Sequence, residues 1–193
     1  MGCYVSLFMK RSDLKTGLLI GLLTFCCNLT ARERQQSIIS PETFQNASCG
    51  NPLMESNVWF TRKVKVLQIL TGDTLLVQLD KQRQLTVVLS GISAPKGTDA
   101  YAKESLAHLK GLLGGKTIEL QFNPSEKDLK QKNSIICVVH LGVADVNLTM
   151  IQKGLARYQE PPSYVMSNYT ACTYRLAEKE AQKFKVGLWQ NPT

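Results

Sequence analysis

The stretch "TGDTLLVQLDKQRQLTVVLSGISAPKG", residues 71–97, decides the fold. Thr71-Gly72-Asp73 is a turn, and Thr74 to Leu79, β-branched and Leu-rich, is a strand. Asp80-Lys81-Gln82-Arg83 forms a polar hairpin tip, Leu85 to Leu89 a further strand, and Pro95 ends the segment in a loop. Upstream, Lys63-Val64-Lys65-Val66-Leu67-Gln68-Ile69 alternates as a half-buried strand does. Downstream the period changes. Ala102, Leu106, Leu109, Leu112 and Leu113 share one face of a helix from about Asp99 to Leu113, which Gly114-Gly115 ends. Thr117 to Phe122 is a fourth strand, and Asn123 to Asn133 a charged loop with Pro124. Ile135 to His140 is a fifth strand, so apolar that it belongs at the centre of the sheet. Val146 to Gly154 is a short helix with Leu148 and Ile151 inward and Asn147 as its expected cap. Tyr174 to Phe184 is a last helix, closed by Gly187 and Trp189.

Three strands, a helix, two strands and further helices is the order of a small barrel with helical additions. The expected class is a β-barrel plus α, an OB-fold: a five-stranded Greek-key barrel with about three helices, over residues 58–193. One strand face and the adjacent loops of such barrels often bind oligonucleotides.

Composition sets the outer limits. The chain has 193 residues, 44% hydrophobic and 20% charged. A packed core is within its means, and global disorder is excluded. The net charge of +8 favours anionic partners, nucleic acid or an acidic lipid surface, over neutral ones. The six cysteines are Cys3, Cys26, Cys27, Cys49, Cys137 and Cys172; none forms a C-x-x-C pair, and only His108 and His140 could assist them, so a zinc site is not expected. Whether Cys49, Cys137 and Cys172 pair is open, since three is an odd number.

The first 31 residues stand apart from the fold. Residues 16–31, TGLLIGLLTFCCNLTA, are uncharged and follow Lys10, Arg11 and Lys15. They resemble a signal peptide or a short anchor, being shorter than the about 20 residues of a spanning helix. MGCYVS also permits myristoylation of Gly2 with palmitoylation of Cys3, two chains that would anchor stably. Either reading predicts association with a membrane or the secretory route; without such a signal the chain would be cytoplasmic. Residues 32–57, polar and holding Pro41, Gly50 and Pro52, are expected to be a linker. N-x-[ST] sequons occur at Asn28, Asn46, Asn147 and Asn168, meaningful only under secretory exposure.

Several short signatures, taken in order, resemble the staphylococcal nuclease-like (thermonuclease-like) domain, including the modules of Tudor-staphylococcal nuclease proteins. They are Thr71-Gly72-Asp73-Thr74, Leu89-Ser90-Gly91-Ile92-Ser93-Ala94-Pro95, Val146-Asn147 with Lys153-Gly154-Leu155-Ala156, and Glu178 to Gly187-Leu188-Trp189. The resemblance covers about residues 60–190. It implies phosphodiester hydrolysis with calcium, and a loop D-x-P-E preceded by an Arg seven residues before its Pro. This chain departs from that pattern. Ser93 replaces the calcium-binding Asp, Lys96 the catalytic Glu, and Val88 the first phosphate-clamping Arg. Lys132-Asn133-Ser134 supplies no second Arg, and only Asp73 remains of the acidic set, as a remnant or turn residue.

Removing one transition-state donor typically costs about 10²–10³ in rate, and a hard cation needs about six to eight oxygens. The expectation is therefore a pseudonuclease that takes no Ca²⁺ and acts as an interaction module at a membrane or in the secretory route, with a possible protein partner. The alternative is non-cleaving binding of RNA or single-stranded DNA through Lys63, Lys65, Lys96, Lys130 and Lys132, with Arg83 and Lys103 adding charge. Aromatic platforms for stacking are sparse, Tyr101, Tyr158 and Tyr164 being the candidates. A second alternative is weak residual calcium-dependent cleavage around Asp73.

Overall fold

The structure, a computed structural model, describes residues 49–50, 59–123, 133–162 and 164–190. The N-terminal segment with Gly2 and Cys3, nearly all of the linker, and Lys130 and Lys132 lie outside the described residues. Five strands carry the barrel: β1 (Phe60–Ile69), β2 (Thr74–Gln78), β3 (Gln84–Leu89), β5 (Thr117–Phe122) and β6 (Ser134–Leu141). Their order is β3-β2-β1-β5-β6, and β6 returns to pair with β3, so the sheet closes on itself. All contacts are antiparallel except the closing one, which is parallel and sets Val88 beside Ile136. This is the expected five-stranded OB barrel with three helices.

The period of two explains what lies inside. Val64, Val66, Leu75, Val77, Leu85, Val87, Ile118, Leu120, Cys137 and Val139 are all buried, and their neighbours are more exposed except in β6, where Val138 is buried as well. A register shift between Val66 and Gln68 in β1 turns Ile69 inward and leaves Leu67 and Gln68 exposed.

Two-residue strands escaped the sequence reading. β4 (Ile92–Ser93) pairs with β8 (Arg157–Tyr158), and β7 (Ala144–Asp145) with β6. Helix boundaries also differ from those expected. α1 is Ala102–Leu113, because Asp99 closes a turn on Lys96 and Tyr101 adopts a left-handed φ of 64° ahead of the helix. Its buried line runs through Ala102, Ser105, Leu109 and Leu113, while Leu106 and Leu112 flank it, half-buried. α2 is Val146–Gln152, with Met150 and Ile151 buried and Leu148 only half so. Asn147 does not cap it: Asp145 does, accepting from Leu148 N at 2.9 Å. α3 is Asn168–Lys183 and begins well before Tyr174, capped by Ser167 through Thr170 N. A 3-10 turn, Gly187–Trp189, ends the fold.

The "KGLA" and "GLW" signatures now have a physical reason. Gly154 and Gly187 meet backbone to backbone with φ of 61° and 54°, and Leu188 N donates to Gly154 O at 2.8 Å. A Cβ on either glycine would collide with the other segment's carbonyl oxygens. Cys49 and Cys172 form a disulfide that ties the segment ahead of the barrel to α3, and Cys137 is a free, buried thiol whose burial pushes its pKa up.

Candidate functional site

Asp73 is the chemical centre of the turn between β1 and β2. The turn forms because Leu70 N and Thr71 N both donate to Thr74 O, at 2.9 and 3.1 Å. It lies so close to α1 and the β4 loop that a Cβ on Gly72 would fall 1.9 Å from Ser105 Oγ and 2.8 Å from Ala94 Cβ. The Asp73 carboxylate is 3% exposed at the residue level and fully engaged. Oδ1 accepts from Thr71 Oγ1 at 2.6 Å and Thr74 Oγ1 at 2.9 Å; Oδ2 accepts from Ala94 N at 3.0 Å. Lys96 Nζ stands 3.2 Å from Oδ2. Burial pushes this carboxyl up, but the hydrogen bonds from Thr71, Ala94 and Thr74 and the Lys96 ammonium outweigh it, holding the pKa below the usual 3.8. Asp73 thus clamps the turn to the 93–96 loop.

The other positions singled out in the sequence do not gather around it as a metal site. Ser93 is half-buried in β4, directly opposite Arg157 of β8. Arg157 is exposed, and its guanidinium lies 4.9 Å from the Trp189 ring centroid. Sequence reasoning missed Arg157, because only the two-residue strand pairing brings it to Ser93. Val88 faces outward, flanked in register by Thr74 and by Ile136, which is 46% exposed; an apolar surface stands where the resemblance expects a guanidinium. Among the described residues, no group of three or more His, Cys, Asp or Glu is placed to hold a metal ion. One carboxylate, already carrying three hydrogen bonds and an ammonium, does not fit a hard divalent cation.

The candidate nucleic-acid lysines are dispersed. Lys63 and Lys65 are exposed on the outer face of β1, opposite Glu119 and Thr117 of β5. Lys96 is bound up with Asp73, Arg83 pairs with Asp80 at 3.2 Å, and Lys103 is exposed near the start of α1. Of the aromatic candidates, Tyr101 donates to Gln190 Oε1 at 3.1 Å and Tyr158 to Glu160 Oε2 at 2.6 Å, while Tyr164 is 57% exposed. Burial, with the Glu160 contact, pushes the Tyr158 hydroxyl up to about 12.

A second polar cluster is structural. Asp145 Oδ1 and Oδ2 accept from Tyr174 Oη at 2.9 and 2.8 Å, and burial pushes both groups' pKa values up. Asn147, fully buried, accepts from Val139 N at 3.0 Å and donates to Ser90 O at 2.9 Å and Cys137 O at 3.3 Å. It stitches β6 to the strand end at Ser90, giving the Val139 N–H an acceptor and the Ser90 carbonyl a donor, and reinforcing the bond that Ser90 N already donates to Cys137 O at 2.9 Å.

Comparison with known proteins agrees with this architecture. The chain is 29% identical over 135 residues to a thermonuclease of Staphylococcus hyicus, covering 66% of this chain and 75% of that protein. It is 26% identical over 147 residues to a micrococcal nuclease of Shigella flexneri, covering 69% and 77%. An uncharacterized endonuclease of Haemophilus influenzae is 26% identical over 129 residues, 65% of each. The profile of one family, described as staphylococcal nuclease homologue, matches residues 86–191. With more than half of its length matched and the expected five-stranded barrel in place, the chain belongs to the staphylococcal nuclease homologue family.

Proposed function

We propose that this domain is a catalytically inactive member of its family, an interaction module held at a membrane or within the secretory route. The carrying observation is the 3.2 Å contact between Lys96 Nζ and Asp73 Oδ2. An ammonium occupies the place of an acid that calcium-dependent cleavage would require, and it neutralises the one carboxylate that remains. Val88 and Ser93 supply neither a clamp for the phosphate nor an oxygen charge for a cation. Loss of one transition-state donor alone typically costs about 10²–10³ in rate, and here a donor, a metal carboxylate and an acid are replaced together, with effects that are not additive. The Cys49–Cys172 disulfide supports the secretory part of the reading, since disulfides persist in oxidising compartments.

The test is incubation of the purified full chain with single-stranded DNA and RNA in calcium or in EGTA. No calcium-dependent cleavage is expected; degradation abolished by EGTA and by Asp73→Asn would overturn inactivity. Fractionation of cells expressing the first 35 residues fused to a fluorescent reporter tests the location. A soluble, uncleaved and unlipidated reporter would remove it.

Non-cleaving nucleic-acid binding is the second reading. It is favoured by the net charge of +8 and by the exposure of Lys63 and Lys65 on one barrel face. Its signature is an affinity for single-stranded RNA that falls steeply with salt.

A further inference from the structure

Two of the sequons fall among the described residues, Asn147-Leu148-Thr149 and Asn168-Tyr169-Thr170, and the fold treats them oppositely. We infer that Asn168 is an N-glycan acceptor in this protein and that Asn147, despite the same signature, is not. This rests on the secretory-route part of the proposed function and not on catalytic inactivity.

Asn168 is exposed at the first position of α3. The helix does not need its side chain, because Ser167 supplies the cap by accepting from Thr170 N at 3.0 Å. A sugar on Asn168 Nδ2 therefore breaks no contact of the fold. The side chain of Asn147 is spent in the interior on Val139, Ser90 and Cys137, with no exposure. A glycan there would hold residue 147 outside the barrel, and the chain bearing it would not fold. The independent observation pointing to a glycosylating compartment is the Cys49–Cys172 disulfide, whose second cysteine lies one turn along the same helix as Asn168.

The chemistry is a group transfer without redox change. Asn168 Nδ2 attacks the anomeric carbon of a lipid diphosphate-linked oligosaccharide. The new C–N bond forms as the C–O bond to the diphosphate breaks; the amide gives up one proton and the lipid diphosphate leaves. Transfer precedes folding, when the Thr170 hydroxyl is not yet held by Ser167 Oγ at 2.9 Å.

The experiment is expression of the full chain in secreting eukaryotic cells, followed by release of N-glycans with an amidase in heavy-oxygen water and tryptic mass spectrometry. The two asparagines fall on separate peptides, residues 158–175 and 133–153. In the folded protein, heavy Asp is expected at 168 in most molecules and absent at 147, and Asn168→Gln should lose one glycan's worth of apparent mass on a gel. An oxidised Cys49–Cys172 protein with a bare Asn168, or folded protein modified at Asn147, overturns this assignment alone. Free thiols at Cys49 and Cys172 with no glycan on any asparagine overturn it together with the secretory reading. The wild-type peptide measurement decides the matter even if the Gln variant fails to fold.

Discussion

Replacing Asp73 by Ala should unfold this domain more readily rather than merely alter a site. The Ala94 N–H, buried against Oδ2, would lose its acceptor, a cost of about 1–3 kcal/mol. The hydroxyls of Thr71 and Thr74, half-buried, would each forgo a charge-assisted bond but turn partly to water, adding about 0.5–1.5 kcal/mol between them. The Lys96 pair contributes at most about 1 kcal/mol, because the lysine side chain is 57% exposed and screened. Relief from burying a charge offsets part of this, leaving a net loss of about 2–4 kcal/mol. The assay is urea denaturation of the full chain with its disulfide intact, at pH 7 and at a series of lower values. The folded carboxyl has a pKa below its unfolded 3.8, so its contribution is complete above that value. As pH falls through 3.8 and on through the folded value, the unfolded state takes up its proton first and the contribution is lost. The gap between wild type and Asp73→Ala should therefore be widest near neutrality and close in strong acid. A variant as stable as wild type at pH 7, or a gap that widens in acid, would refute the clamp.

Four further outcomes follow from the same structure. Reduction of Cys49–Cys172, or Cys172→Ser, should lower the denaturation midpoint; closure of a loop 123 residues apart sets an upper limit of about 5 kcal/mol, read by parallel urea titrations with and without reductant. Gly72→Ala should cost about 1–3 kcal/mol or more, because the new methyl overlaps Ser105 and Ala94; Gly72→Ala combined with Ser105→Gly should recover part of it in the same titration. Asp145→Asn keeps an acceptor for Leu148 N and sheds a buried charge, so it should be near neutral at pH 7, whereas Asp145→Ala should lose about 1–3 kcal/mol by uncapping α2 and stranding the Tyr174 hydroxyl. Calorimetry distinguishes the two, and equal losses would reject the cap. Lys96→Met should change stability by no more than about 1 kcal/mol in urea titrations, while Lys96→Glu, beside the Asp73 carboxylate, should cost more than Met does.

The barrel was legible because β1 alternates as far as its register shift, Val64 and Val66 against Lys63 and Lys65, and because β3 is a short β-branched and Leu-rich run bounded by turn residues. The order of elements, three strands, a helix and two strands, then pointed to the barrel. What stayed hidden had specific causes. The first turns of α3 present a polar surface and turn only small side chains such as Ala171 inward, so no apolar stripe announced them. Asn147 has the chemistry of a cap, and nothing local told it apart from Asp145, two residues earlier. The β4–β8 pair is too short for any periodicity, which concealed the placing of Arg157 opposite Ser93. The resemblance drew attention to Lys96 as a position where an acid is expected, but its contact with Asp73 was not legible, since that depends on how the 93–96 loop folds back upon the 71–74 turn. With three candidate cysteines, the choice of Cys49 with Cys172 needed the buried position of Cys137 inside the barrel.

The back-to-back meeting of Gly154 and Gly187 has a consequence for how the polypeptide matures as it leaves the ribosome. Strand β3 emerges early, yet its parallel neighbour β6 arrives some fifty residues later, and the Gly154 loop finds its seat only once Gly187 has followed. Non-local pairings of this kind are slow to form. Translation must therefore run almost to the end of the domain before the barrel can lock, and until then β3 and β6, although each can pair with its antiparallel neighbour β2 or β5, carry an open apolar edge that depends on whatever shields it from aggregation.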